Sequence, residues 1–134
     1  MILLDTNICV YVIKTRPPEV LARFNDFEPE ELAVSVVTAM ELRVGALRAS
    51  GTRYAGRVDA LLGQLSVLPL GAEVVDFYSR TKVDLQRRGE LIGPMDLLIA
   101  AHALGLGATL VTNNEREFRR IAGLRVENWV KTAV

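Results

Sequence analysis

Met1-Ile2-Leu3-Leu4-Asp5-Thr6-Asn7 opens the chain, and its reading decides the fold. Three apolar residues followed abruptly by a polar stop describe a short strand buried on both faces, as in a parallel sheet covered by helices. Ile8 to Lys14 continues as an apolar, helix-compatible stretch. Pro17-Pro18 then breaks the chain and starts a second helix over Glu19 to Phe27, with Val20, Leu21, Phe24 and Phe27 on one face. A second strand is expected from Leu32 to Val37, where Val34, Val36 and Val37 are β-branched, and Thr38 opens the helix that follows. Further helices run from Tyr54 to Leu65, from Ala72 to about Arg88, from Met95 to Leu104 and from Glu115 to Ile121. Strands are expected at Ser66 to Leu70, Ala108 to Thr112 and within Leu124 to Trp129. Strands alternating with helices at these spacings give an α/β fold, a single domain over residues 1–134, with a mainly parallel central sheet of four to five strands and helices on both faces.

Length and composition agree with one domain. The chain has 134 residues, half of them hydrophobic and about a quarter charged, which excludes a disordered or collagen-like polymer. Sixteen basic residues balance sixteen acidic ones, so the overall positive field of a nucleic-acid coat protein is absent and any polyanion must be handled locally. Arginine outnumbers lysine thirteen to three, favouring planar, forked contacts to carboxylates or phosphates. The one cysteine, Cys9, reads as a small buried hydrophobe in a reducing compartment. The longest apolar tract, Leu97 to Val111, contains His102, Gly105 and Gly107 and is too short and broken to cross a bilayer. With no basic, cleavable leader at Met1, a cytoplasmic protein without membrane contact is expected.

In open α/β sheets, sites form beyond the carboxyl ends of the strands. Four acids fall at such places: Asp5 after the first strand, Glu41 after the second, Asp96 near a helix start and Glu117 after the fourth strand. Carboxylates brought together resist ionisation unless a cation offsets them, and the pattern points to a hard divalent ion, Mg²⁺ with Mn²⁺ as substitute. One cysteine and one histidine leave no zinc ligand set. Each acid also has a plainer reading. Asp5 can cap a helix, and Thr38-x-x-Glu41 has capping-box spacing. Asp96 can serve a helix dipole, and Glu117 can pair with Arg116 or Arg120. His102, in an apolar helix, reads as a core histidine, and Trp129 as a packing anchor. Ser35 lacks a Gly-x-Ser-x-Gly elbow and a histidine partner suited to a serine hydrolase.

Taken together, Leu3-Leu4-Asp5-Thr6-Asn7, Ser35-Val36-Val37-Thr38 with Glu41-Leu42, Asp96-Leu97-Leu98-Ile99-Ala100, and Val111-Thr112-Asn113-Asn114 with Glu117-Phe118 resemble the PIN-domain family, its VapC-type toxins above all. The resemblance extends to the closing Gly123-Leu124-Arg125-Val126-Glu127-Asn128-Trp129. It implies a Mg²⁺-dependent endoribonuclease, the toxin of a type II toxin–antitoxin pair, with an antitoxin as partner and homodimers common. Asp5 and Asp96 would then hold metal, Glu41 would complete the site, and Thr6 and Thr112 would support it. Many family members carry an aspartate where this chain has Asn113-Asn114. Asn114 is a neutral substitute there, and Glu117 matches the acid of the family's Glu-Phe pair. Phosphodiester cleavage by a metal-activated water follows chemically from such a site. Contacts to the RNA backbone are expected from Arg43, Arg87, Arg88 and Arg116. Two other readings compete: a PIN-like module that only binds a partner, and a phosphatase with an aspartate nucleophile, which the Asn at position 7 disfavours.

Overall fold

The computed structural model describes residues 1–131. Five short strands, β1 (Ile2–Leu4), β2 (Leu32–Ser35), β3 (Ser66–Leu68), β4 (Thr109–Val111) and β5 (Arg125–Glu127), form one sheet in the order β3-β2-β1-β4-β5. Every pairing is parallel, in register Leu3↔Ala33, Leu3↔Leu110, Val34↔Val67 and Leu110↔Val126. The helices are α1 (Thr6–Lys14), α2 (Pro18–Asn25), α3 (Val36–Arg48), α4 (Arg53–Gln64), α5 (Val74–Arg87), α6 (Pro94–Leu106) and α7 (Glu115–Phe118), with a 3₁₀ turn at Pro29–Glu31.

The two-residue period of the strands divides the core. Leu4, Leu32, Val34 and Val111 face one cluster with Ile8, Val20, Leu42, Val58 and Trp129, while Leu3, Ala33 and Leu110 face another with Val37, Leu85, Leu97, Ile99 and Phe118. Successive residues of one strand therefore feed opposite layers, which is why β1, β2 and β4 read as unbroken apolar runs rather than alternating ones. Trp129 is buried and stacks on Phe27 with ring centroids 5.6 Å apart, and the Arg23 guanidinium lies over Phe27. Cys9 is fully buried, and burial pushes its thiol pKa well up, so it packs as a hydrophobe.

Several boundaries differ from the sequence expectation. Val36 and Val37 are not strand residues. The Ser35 hydroxyl accepts the Val37 N–H at 3.1 Å and starts α3 two residues before Thr38, so capping chemistry overrides the β-branched run. Thr38 and Glu41 consequently lie inside the helix and form no capping box. Gly105 does not end α6. A Cβ there would come within 3.2 Å of Glu73 Cγ, so the glycine permits close packing on the α5 side, and Gly107, at φ +64, ends the helix instead. On α2 and α4, Val20, Val58 and Leu61 are buried. Exposed apolar side chains include Met40, Val44 and Leu47 on α3 and Val75, Phe77 and Val83 on α5.

Candidate active site

Strand order reverses between β1 and β4, since the chain winds outward through β2 and β3 on one side and through β4 and β5 on the other. A crevice at that switch point is the usual site of ligand binding in open sheets. All four acids stand around it. Asp5 directly follows β1 and is 3 % exposed; its Oδ1 accepts the Ile8 N–H at 2.9 Å, so it caps α1 and still lies at the switch point. Glu41 sits on the second turn of α3, Asp96 at the third position of α6 and Glu117 on α7, all three half-buried.

Their electrostatics show that they converge. Burial raises the Asp5 pKa to about 6, with Asp96 and Glu41 adding to the rise, against hydrogen bonding from Thr112 and from the Ile8 N–H. The Asp96 carboxyl is likewise held above the usual carboxylate range, first by burial and then by Glu41 and Glu117. Among the described residues, none of the four acids has an arginine or lysine within 4 Å. Nor do any three acidic, histidine or cysteine groups sit close enough to grip one ion together. Two carboxylates, with water and substrate oxygens filling the other positions, make a donor set of the kind a hard divalent ion accepts.

Hydroxyl and amide groups orient the acids. The Thr6 hydroxyl donates to Glu41 Oε1 at 2.5 Å, and its oxygen lies 3.3 Å from the Thr38 hydroxyl. Fully buried Thr112 accepts the Asn114 N–H at 2.9 Å, which frees its own proton for Asp5. Asn114 donates its side-chain N–H to Glu117 Oε2 at 3.0 Å. Asn114 and Glu117 thus form one unit rather than rivals for one position.

The arginines divide. Arg43 pairs with Asp59 at 2.6 Å, and Arg88 with Asp84 and Glu90 at 2.8 and 3.2 Å, exposed ion pairs that a phosphate would have to displace. Arg87 and Arg116 are exposed and have no ion-pair partner among the described residues. The plainer reading of Glu117 fails as well, because Arg120 pairs with Glu90.

Sequence reasoning missed one pair. Ser35 does have a histidine neighbour, with His102 Nδ1 2.7 Å from its Oγ. Both side chains are fully buried, so they serve no hydrolase chemistry, and no spacing in the sequence connects positions 67 residues apart.

Comparison with known proteins follows the same lines. The family model "PIN domain" matches residues 2–124. "Ribonuclease VapC2" of Haemophilus influenzae is 42 % identical over 96 % of this chain and 97 % of its own length. "tRNA(fMet)-specific endonuclease VapC" of Shigella flexneri is 38 % identical over 95 % and 96 %. The solved structure of VapBC2 from Rickettsia felis bound to a promoter DNA fragment superposes with a TM-score of 0.89 at 35 % identity, covering 97 % of this chain and 100 % of that one. The chain belongs to the PIN-domain family, in the branch of its VapC-type members.

Proposed function

We propose that this chain is a divalent-metal-dependent endoribonuclease, the toxin of a type II toxin–antitoxin pair acting in the cytoplasm, with Asp5, Glu41, Asp96 and Glu117 as its active site. The observation that carries the reading is the meeting of four acids from four segments at the sheet's switch point, none of them ion-paired among the described residues. Native proteins retain such a cluster at the expense of stability, and a positively charged ligand repays it. The relatives' names supply the substrate class.

Asp5 and Asp96 would hold the ion, Mg²⁺ or in its place Mn²⁺. Once bound, a divalent cation supplies charge neutralisation for a scissile phosphodiester and acidifies water. The protein supplies the rest. Glu41, pinned through one oxygen by Thr6, offers the other to orient a water and take its proton. Glu117, held by Asn114, adds a further acceptor at the crevice, and Arg87 and Arg116 are left for RNA phosphates. The apolar side chains exposed on α3 and α5 are surface that a protein partner covers, an antitoxin or a second copy of the chain.

An initiator tRNA is the first substrate to test, since two relatives carry that specificity in their names. Purified protein is expected to cut it with Mg²⁺ or Mn²⁺ and to stop with chelator. Unchanged cleavage in chelator, or by folded Asp5→Asn and Asp96→Asn variants, overturns the reading.

A further inference from the structure

We infer that the buried Ser35–His102 pair is a positioning device for the acidic site: by bonding the start of α3 to the middle of α6 it sets the separation of Glu41 from Asp96, and with it the grip on a divalent cation. The inference rests on the nuclease reading above and assigns work to two residues outside the crevice.

The pair is fully committed. Both side chains are 0 % exposed, and the contact is 2.7 Å. Because Ser35 Oγ accepts the Val37 N–H, its single proton is free to be donated to His102 Nδ1. That leaves the ring proton on Nε2 and the imidazole neutral, as burial also favours. Nε2 is buried and makes no hydrogen bond, so among the described residues the ring's one hydrogen bond is the one to Ser35.

Its location makes the bond matter. Glu41 lies six residues after Ser35 along α3, and Asp96 six residues before His102 along α6, about 9 Å of helix in each case. The two carboxylates repel, which favours a wider separation of the helices that carry them. Helix α6 is otherwise anchored by Leu97, Ile99, Ala100, Ala101 and Ala103, whose packing has no preferred direction. Among the described residues, no other side chain of α6 makes a hydrogen bond. One directional contact therefore holds the metal-bearing helix against repulsion, whereas α1 and α3 are tied a second time through Thr6.

The test measures Mn²⁺ affinity by calorimetry alongside kcat and KM for RNA cleavage, in the parent, His102→Leu, Ser35→Gly, the double variant and His102→Asn. Glycine is tolerated at a helix N-cap, so Ser35→Gly removes the hydroxyl while sparing α3, and it reads the bond from the other end if His102→Leu fails to fold. Both single variants are expected to weaken Mn²⁺ binding and lower kcat by about tenfold at unchanged KM, with the double variant no worse than either. His102→Asn, which can keep an acceptor near Ser35, is expected to recover most of both. Parent-like Mn²⁺ affinity in both single variants, whatever their thermal stability, overturns the inference while leaving the nuclease reading in place. A parent that neither binds Mn²⁺ nor cuts RNA overturns both.

Discussion

Glu115 and Glu117 stand two residues apart on α7 and live in opposite electrostatic worlds. Glu115 accepts from Arg119 at 2.8 Å and from Asn128 at 3.0 Å, and these partners hold its carboxyl below its ordinary pKa. Glu117 faces the crevice, where it raises the pKa of Asp96 and is met only by the neutral amide of Asn114. The same division runs through the molecule. Toward the end of α5, Asp84 and Glu90 are neutralised by Arg88 and Arg120, while Asp5, Glu41, Asp96 and Glu117 at the crevice have no cationic partner among the described residues. Paired acids at a surface contribute little and are screened by salt. Unpaired acids gathered in a half-buried crevice cost stability, so their charge is unfinished until a cation arrives.

Four measurements break or sharpen that contrast. The largest effect belongs to catalysis: Asp96→Asn is expected to reduce RNA cleavage by about a thousandfold, whereas Asp84→Asn, on an arginine-paired acid, changes it less than twofold. Equal losses in both would erase the distinction between the two regions.

Next comes stability without metal. The Asp5 carboxyl titrates near 6 in the folded chain, above an ordinary value of 3.8. Between those values the unfolded chain has released its proton and the folded chain has not, so raising the pH favours unfolding and the cost is complete above about pH 6. Asn keeps the cap on α1 and cannot ionise. In chelator at pH 7, Asp5→Asn is therefore expected to be more stable than the parent by about 1–3 kcal/mol in urea denaturation, with the gap closing near pH 4. Added Mg²⁺ should stabilise the parent and not the variant. A variant less stable than the parent at pH 7 in chelator would mean that Asp5 is compensated from within.

A middle-sized effect separates the two glutamates of α7. Glu117→Gln is expected to lower kcat about tenfold, and Glu115→Gln to leave it unchanged. The smallest effect concerns the arginines. Arg116→Ala and Arg87→Ala should each weaken RNA binding and flatten its salt dependence by roughly one phosphate contact, while Arg88→Ala should alter neither beyond experimental error. Loss of RNA affinity in Arg88→Ala alone would show that ion-paired arginines are recruited after all.

Much of this was legible in the residues. The apolar run Ile2-Leu3-Leu4 and the acid after it marked a central strand and the place of the candidate site, because a polar residue after an apolar run ends the strand at the sheet's carboxyl edge. The glycines and prolines marked most element ends. Helix α3 was misplaced because β propensity in Val36 and Val37 is a weak preference, and a serine that satisfies a free backbone N–H outweighs it. The engagement of Arg43 and Arg88 could not be read either, since Asp59 and Asp84 are only two among sixteen acids until packing chooses.

Residue order by itself determined which groups could do chemistry: four acids placed after apolar runs, hydroxyls at Thr6 and Thr112, and too few histidines and cysteines for zinc. It also determined the class of fold, because periodicity is a local property that each segment carries with it. Tertiary structure alone decided which acids remain unpaired, that Asn114 holds Glu117, and that Ser35 meets His102 across 67 residues. Those outcomes depend on distances between segments remote in the chain, and electrostatic and hydrogen-bond energies depend on distance and burial, which exist only once the sheet has assembled.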